Sequence, residues 1–183
     1  MELLTWAREL AEQLLAEPLP RRWAHSQGVG RRAESLAGVL GKDAELLAAA
    51  AWLHDIGYAP ELVKTGMHQL DGARYLRDNA SADPRLCSLV AHHSCACIEA
   101  RNRGMHAALE AEFPPVGGLL ADALTYSDMT TTPDGRTTDV EDRLAEILER
   151  YEAGSVVFES ISEASPRIVD AAHRISELIG AQR

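Results

Sequence analysis

Trp52-Leu53-His54-Asp55-Ile56-Gly57-Tyr58 is the stretch on which the fold turns. Upstream of it, Glu45-Leu46-Leu47-Ala48-Ala49-Ala50-Ala51-Trp52-Leu53 is apolar almost all round, so its pattern predicts a helix buried on most sides. Gly57 is the expected stop. An imidazole and a carboxylate therefore meet at the end of a central buried helix, where neither is cheap to bury alone. Metal ligation offsets that cost. A hydrogen-bonded His-Asp pair ending a helix is the simpler alternative, and the rest of the chain decides between them.

Working outward, nearly every segment carries helical rather than strand period. Residues 2 to 17 place Leu3, Ala7, Leu10 and Leu14 on one stripe, and Pro18 and Pro20 end that helix and start the next. The second helix is expected from about Pro20 to Leu40, with Gly41 past its end. His25 shares a face with Val29, Ala33, Leu36 and Leu40, so it points toward the core, as a ligand or as a core histidine satisfied by a carbonyl. After a loop from Tyr58 to Gly66, His68 opens a short helix, and Gly72 one turn on permits a close approach by another element. Asp83-Pro84 is a helix start. That helix carries Leu86, Leu89 and Val90 inward and brings His92 and His93 to its end. Spacing favours His93 but leaves His92 open. A further apolar helix from Gly118 ends in Asp128, repeating the placement of Asp55. Thr138 with Glu141 reads as a capping box, and Ser165-Pro166 as the start of a last helix. The expected architecture is an all-α, irregular helical bundle. One unit is expected over residues 1–183, with a motif-bearing core at about 20–130 and C-terminal helices over 138–181 packed on it.

Composition narrows the classes. The chain of 183 residues is 46% hydrophobic and 25% charged, ordinary usage for a globular protein. A net charge of −10, with no block of Lys or Arg, argues against a nucleic-acid polymer as partner and leaves room for a small anionic substrate held locally. The first residues are acidic where a signal peptide is basic, and no apolar run approaches membrane-spanning length, so a cytoplasmic protein without a membrane partner is expected. Three cysteines, an odd number, agree with a reducing compartment.

In chain order the candidate constellation is His25, His54-Asp55, His68, His92/His93 and Asp128, residues from separate helices that converge only if a bundle gathers them. Imidazole with carboxylate is the ligand set of divalent transition metals such as zinc, iron, manganese and cobalt. This ordered set resembles the HD-domain superfamily of metal-dependent phosphohydrolases. The match rests on Arg21-Arg22-Trp23-Ala24-His25-Ser26, His54-Asp55-Ile56-Gly57, His68 with Gly72-Ala73 and Leu76, Ala91-His92-His93 and Ser127-Asp128. It implies His25, His54, Asp55 and Asp128 as ligands of one ion. A second ion is implied beside the first, bridged by Asp55 and completed by His68 with His92 or His93. Sequence does not separate one ion from two, nor iron, manganese, zinc, cobalt and nickel from one another. The long glycine-tyrosine-proline motif of the cyclic-dinucleotide phosphodiesterases is absent. So is the acidic pair that follows the HD in guanosine-tetraphosphate hydrolases; the nearest downstream acid is Glu61.

The implied reaction is hydrolysis of a phosphate ester or phosphoanhydride of a small molecule, such as a nucleotide, by water that the metal activates. Asp55 or Asp128 is placed to accept the proton. Arg22, on the face of His25, and Lys64 and Arg136, in loops, are candidate donors to phosphate. Two other readings compete. HD-type proteins with a mixed-valent diiron site cleave their substrates with oxygen, using the same six-ligand pattern. A non-catalytic zinc-binding module built from His92, His93, Cys95 and Cys97 would leave the other histidines in the core, although Cys-x-Cys places its thiols awkwardly on a helix.

Overall fold

The computed structural model describes residues 2–181, and among these the chain is helical without a β-strand. An isolated bridge pairs Thr131 with Thr137. In order come α1 (Leu3–Leu15), α2 (Pro20–Glu34), the single turn α3 (Ala37–Leu40), α4 (Ala44–Leu53), α5 (His68–Asp78) and α6 (Pro84–His92). The second half holds α7 (Ala96–Asn102), α8 (His106–Glu112), α9 (Leu119–Met129), α10 (Val140–Arg150) and α11 (Val156–Ala181). This is the all-α irregular bundle that the helical periods predict.

α4 is the central element, with α1, α2, α6 and α9 packed around it. Its alanines explain how so many helices reach it. Ala48 to Ala51 are buried and carry no bulk, so neighbouring backbones approach closely, while Leu47 and Leu53 fill the gaps. Each of those leucines contributes about 1.5–3 kcal/mol on burial. Ala50→Leu would force extra volume into this seam at a cost of about 1–3 kcal/mol.

Four local expectations change. α2 stops at Glu34, not Leu40, because the Ser35 hydroxyl donates to Arg32 O (2.6 Å) and the chain turns before α3, with Leu36 fully buried at the turn. Gly57 is not the helix stop: α4 ends at Leu53 and the chain winds through a 3₁₀ turn at Ile56–Tyr58. A side chain at Gly57 would overlap the carbonyl of His68, so the glycine is what lets α5 begin against the HD turn. The capping box at Thr138 does not form. Asp139 precedes α10 without a side-chain cap, and the Thr138 amide instead donates to Thr130 O (3.0 Å), tying α10 to the end of α9. Ser165-Pro166 does not start the last helix; it lies inside α11. A proline there forfeits the bond to Ser162 O at a cost of about 3 kcal/mol. The apolar stripe of Ala164, Ile168, Ala171, Ala172 and Ile175 continues across it, and its burial outweighs that loss.

Asp83 caps α6 as expected, its Oδ1 accepting from the Arg85 amide at 2.7 Å. α11 lies along α9 and against α10 and α7, so the C-terminal helices close over the end of the bundle where the histidines gather. No helix among the described residues is long and apolar enough to cross a membrane.

Candidate metal centre

Five segments deliver the cluster. His25 comes from the middle of α2, His54 and Asp55 from the turn after α4, His68 from the first residue of α5, His93 from just beyond α6, and Asp128 from the last turn of α9. His25, His54, Asp55, His93 and Asp128 are buried, and His68 is nearly so.

Asp55 stands in the middle. Its Oδ2 lies 3.3 Å from His54 Nε2 and 3.9 Å from His25 Nε2, while its Oδ1 lies 3.3 Å from His68 Nε2 and 4.0 Å from His93 Nε2. Each carboxylate oxygen thus faces its own pair of imidazoles. Asp128 Oδ1 joins the first side, 3.0 Å from His25 Nε2 and 3.8 Å from His54 Nε2. Three overlapping groups have ligand atoms all within 4.8 Å of one another: His25/His54/Asp55, His54/His93/Asp128 and Asp55/His68/His93.

The ring orientations fit a metal. Nδ1 of His25, His54 and His93 lies 3.0, 2.7 and 2.7 Å from the carbonyls of Thr132, Ala51 and Val90. A carbonyl only accepts, so Nδ1 carries the proton in each ring and Nε2 presents its lone pair to the cluster when the ring is neutral. His54 Nε2, fully enclosed, has no hydrogen-bond partner although Asp55 Oδ2 is near. His68 and His93 point their Nε2 atoms at each other across 3.2 Å. An orphaned buried nitrogen and two opposed ring nitrogens, all beside carboxylates, form a donor set that a divalent cation satisfies.

Arg22 and the His54 ring sit against the two carboxylates. Arg22 Nη1 donates to Asp55 Oδ2 at 2.7 Å, and its guanidinium lies 4.0 Å over the Tyr58 ring. Burial works against the Arg22 cation, but Asp55 outweighs it and pushes the pKa up. Burial also works against a charged His54, yet Asp55 and Asp128 push its pKa up to about 9. Burial dominates at His68 and His93 and holds both below the ordinary imidazole value. Burial opposes ionisation of the two acids, but Arg22 and His54 at Asp55, and His25 and His54 at Asp128, hold them far below the carboxylate range.

Three expected residues stand elsewhere. His92, offered beside His93, turns its Nε2 to Phe113 O at 2.6 Å, outside the cluster. Neighbours on a helix point about 100° apart, so only one of the two faces inward. Lys64 is exposed and lines a separate surface hollow with Asp71 and Arg74; only its backbone amide is engaged, donating to Asp71 Oδ2. Arg136 also lies away from the cluster, in a hollow with Arg31 and Arg32. Cys95 and Cys97 enter none of the three groups, and burial pushes the Cys95 thiol up to about 11, against the thiolate that zinc needs.

Ser94 is a residue that sequence reasoning missed. It and Cys95 sit in left-handed backbone (φ 48° and 62°), a conformation costing roughly 1–2 kcal/mol per non-glycine residue. The bend delivers the Ser94 hydroxyl to Asp128 Oδ2 at 2.5 Å and so fixes the carboxylate that His25 shares. Nothing in Ala91-His92-His93-Ser94 announces that backbone. Arg103, Arg143 and Arg150 were missed too. They line a cavity of about 190 Å³ that opens from the cluster toward α10 and α11, with Arg22, Tyr58, Gln69, Glu99 and Tyr151 also in its wall. Arg143 carried a readable signal, since it falls on the buried stripe of Val140, Leu144 and Ile147.

Comparison with known proteins agrees with this geometry. The profile of the HD domain family matches residues 22–154, and the chain belongs to that family. Ribonuclease Y of Mesoplasma florum is 29% identical over 133 residues, which cover 73% of this chain. The matched segment spans 23% of that relative's length. No solved structure matches the chain.

Proposed function

We propose that the protein is a metal-dependent phosphohydrolase that cleaves a phosphate ester or phosphoanhydride of a small molecule, such as a nucleotide. The observation that carries this is the placing of Asp55 between two imidazole pairs at the floor of a cavity walled by arginines. His25, His54, Asp55 and Asp128 would hold one divalent ion, and Asp55, His68 and His93 a second. When bound, such ions supply a polarised phosphoryl oxygen and an acidified water. The chain's own residues do the rest. Arg22 presents a guanidinium beside Asp55 to orient phosphoryl oxygens, and Ser94 fixes the Asp128 carboxylate in the ligand position it shares with His25. Walls from α10 and α11 limit bulk water around the reacting group.

Membership of the HD domain family supports this reading. The likeness to a ribonuclease favours a second one, in which the scissile bond is an RNA phosphodiester. The net charge of −10 and the confined cavity favour the small molecule. A phosphate-release screen over nucleotides and sugar phosphates, run beside a labelled RNA oligonucleotide, decides. Metal-dependent phosphate release from a small molecule is expected. RNA cleavage without it would establish the second reading, and oxygen consumption by an iron-loaded protein without phosphate release would overturn both.

A further inference from the structure

Two hollows meet at the metal cluster. The first is the cavity described above. The second, lined by Pro18, Leu19, Pro20 and Pro133, shares Arg22, His25, Arg143 and Arg150 with it. The arginines of α10 therefore stand at the junction, across the opening from Asp55 and two helical turns apart on one face. Their charges are poorly compensated. Both guanidiniums lean on a single carboxylate: Arg143 Nη1 pairs with Glu146 Oε2, and Arg150 Nε lies 3.3 Å from Glu146 Oε1. One positive charge is left over.

Arg143 is the unusual member. Its side chain is only 6% exposed, yet its Nε has no hydrogen-bond partner. A buried guanidinium N–H left unmade is costly, and an anionic oxygen entering from the cavity is the group that would satisfy it. The chain as a whole is strongly acidic, so four arginines (Arg22, Arg103, Arg143 and Arg150) on one small cavity are a local concentration of positive charge. Arg103 donates to Glu99 at 2.7 Å, and Glu99 accepts from Gln69, so that side is already matched. Arg22 is matched by Asp55. The surplus lies at Arg143 and Arg150.

We propose that Arg143 and Arg150 form a second anion subsite, and that the substrate is a small phosphorylated molecule bearing a further phosphate or carboxylate remote from the scissile phosphoryl group. This rests on the reading that the cluster takes a phosphoryl group. The two anionic ends bridge the opening, one at the cluster and one at α10, which couples specificity to the C-terminal helices. A phosphate ester with no second anionic group reaches only one end.

Calorimetry on the metal-loaded protein tests this with unreactive probes. Ethylphosphonate carries one anionic end; phosphonoacetate, 3-phosphonopropionate and 4-phosphonobutyrate carry two at growing separation. The expected result is that at least one two-ended probe binds about tenfold or more tightly than ethylphosphonate, as for a single charge-assisted contact. Arg143→Gln/Arg150→Gln should abolish that preference while changing ethylphosphonate binding and metal content little. Arg150→Gln alone removes a partly exposed side chain, keeps the fold and should cut the preference severalfold. Arg136→Gln, in the separate basic hollow, should leave it intact. Equal binding of all probes, or a preference that survives in the double variant, overturns the subsite while ethylphosphonate binding keeps the phosphohydrolase reading. No binding of ethylphosphonate by the wild-type protein overturns that reading and the subsite with it.

Discussion

The wall that carries His25, His54 and His93 holds each ring by a backbone carbonyl, whereas the facing wall holds Arg143 and Arg150 through one shared carboxylate, Glu146. The first wall is fixed before any ligand arrives: ring orientations are set, side chains are buried, and Ser94 pins Asp128. The second keeps a surplus of charge and an unmet N–H donor. Preorganised donors suit an ion that demands fixed positions, and an undercompensated pair of guanidiniums suits a group that comes and goes. On the reading proposed above, the first wall does the chemistry and the second chooses the substrate, and each variant below presses on one side of that contrast.

The largest effect is expected at the point common to both imidazole pairs. Asp55→Ala should lower the hydrolytic rate by more than the roughly 10–100-fold typical of losing an outer partner of a metal ligand. Far-UV circular dichroism should stay near wild type, because apolar packing carries the helices around α4, while the melting temperature should fall as Arg22 loses its buried partner. A variant that loses its helicity would assign Asp55 to the fold instead.

His68→Ala comes next. It should take the metal count from about two toward one and reduce kcat more than it raises KM, since the lost ion acts mainly on the transition state. An unchanged metal count with a raised KM would make His68 a substrate contact.

Ser94→Ala tests whether the pinning of Asp128 matters. Metal affinity should fall about tenfold, as for other outer-shell partners, with little change in KM. Competition with a chelator measures it, and unchanged affinity would leave the left-handed backbone at Ser94 without a role.

Protons give a smaller and more diagnostic signal. In the metal-free protein His54 is pushed up to about 9, above the ordinary 6.5 of imidazole. A raised pKa in the folded state contributes stability that is complete below about 6.5 and disappears as pH rises through about 9. Metal binding at pH 7 must expel that proton, so apparent affinity should climb toward pH 9 and then level off. Calorimetry in two buffers of different ionisation enthalpy should count about one proton released, and none would place His54 neutral beforehand. Least of all should change in Cys95→Ser and Cys97→Ser, whose metal content should equal that of wild type. A loss there would revive the cysteine-ligated alternative.

What the sequence made legible follows the same division. The pinned wall could be read because each ligand lies on the apolar face of a helix or at a helix end, as with His25 on the stripe of Val29 and Ala33 or Asp128 at the end of α9. The choice between His92 and His93 needed the rotation of α6 about its own axis, which sets the His93 ring on Val90 O beside the cluster and turns His92 to Phe113 O. Lys64 was drawn by its closeness in sequence to the HD pair, whereas the chain around it folds back onto Asp71 and away from the cavity. Arg143 falls on the buried stripe of α10 and Arg150 lies two turns beyond it, but neither position announces a cavity. Only the packing of α10 and α11 over the cluster shows that they line a cavity. Pro166 misled for a related reason: local propensity marks a helix start there, and tertiary burial across it carries the helix through.

Whether Asp55 joins two groups of ligands at one metal centre is decided by elemental analysis of wild type and Asp55→Ala, both purified without chelators or an affinity-tag metal. About two transition-metal ions per chain are expected in the wild type and almost none in the variant. Normal metal stoichiometry in Asp55→Ala would contradict that role of Asp55.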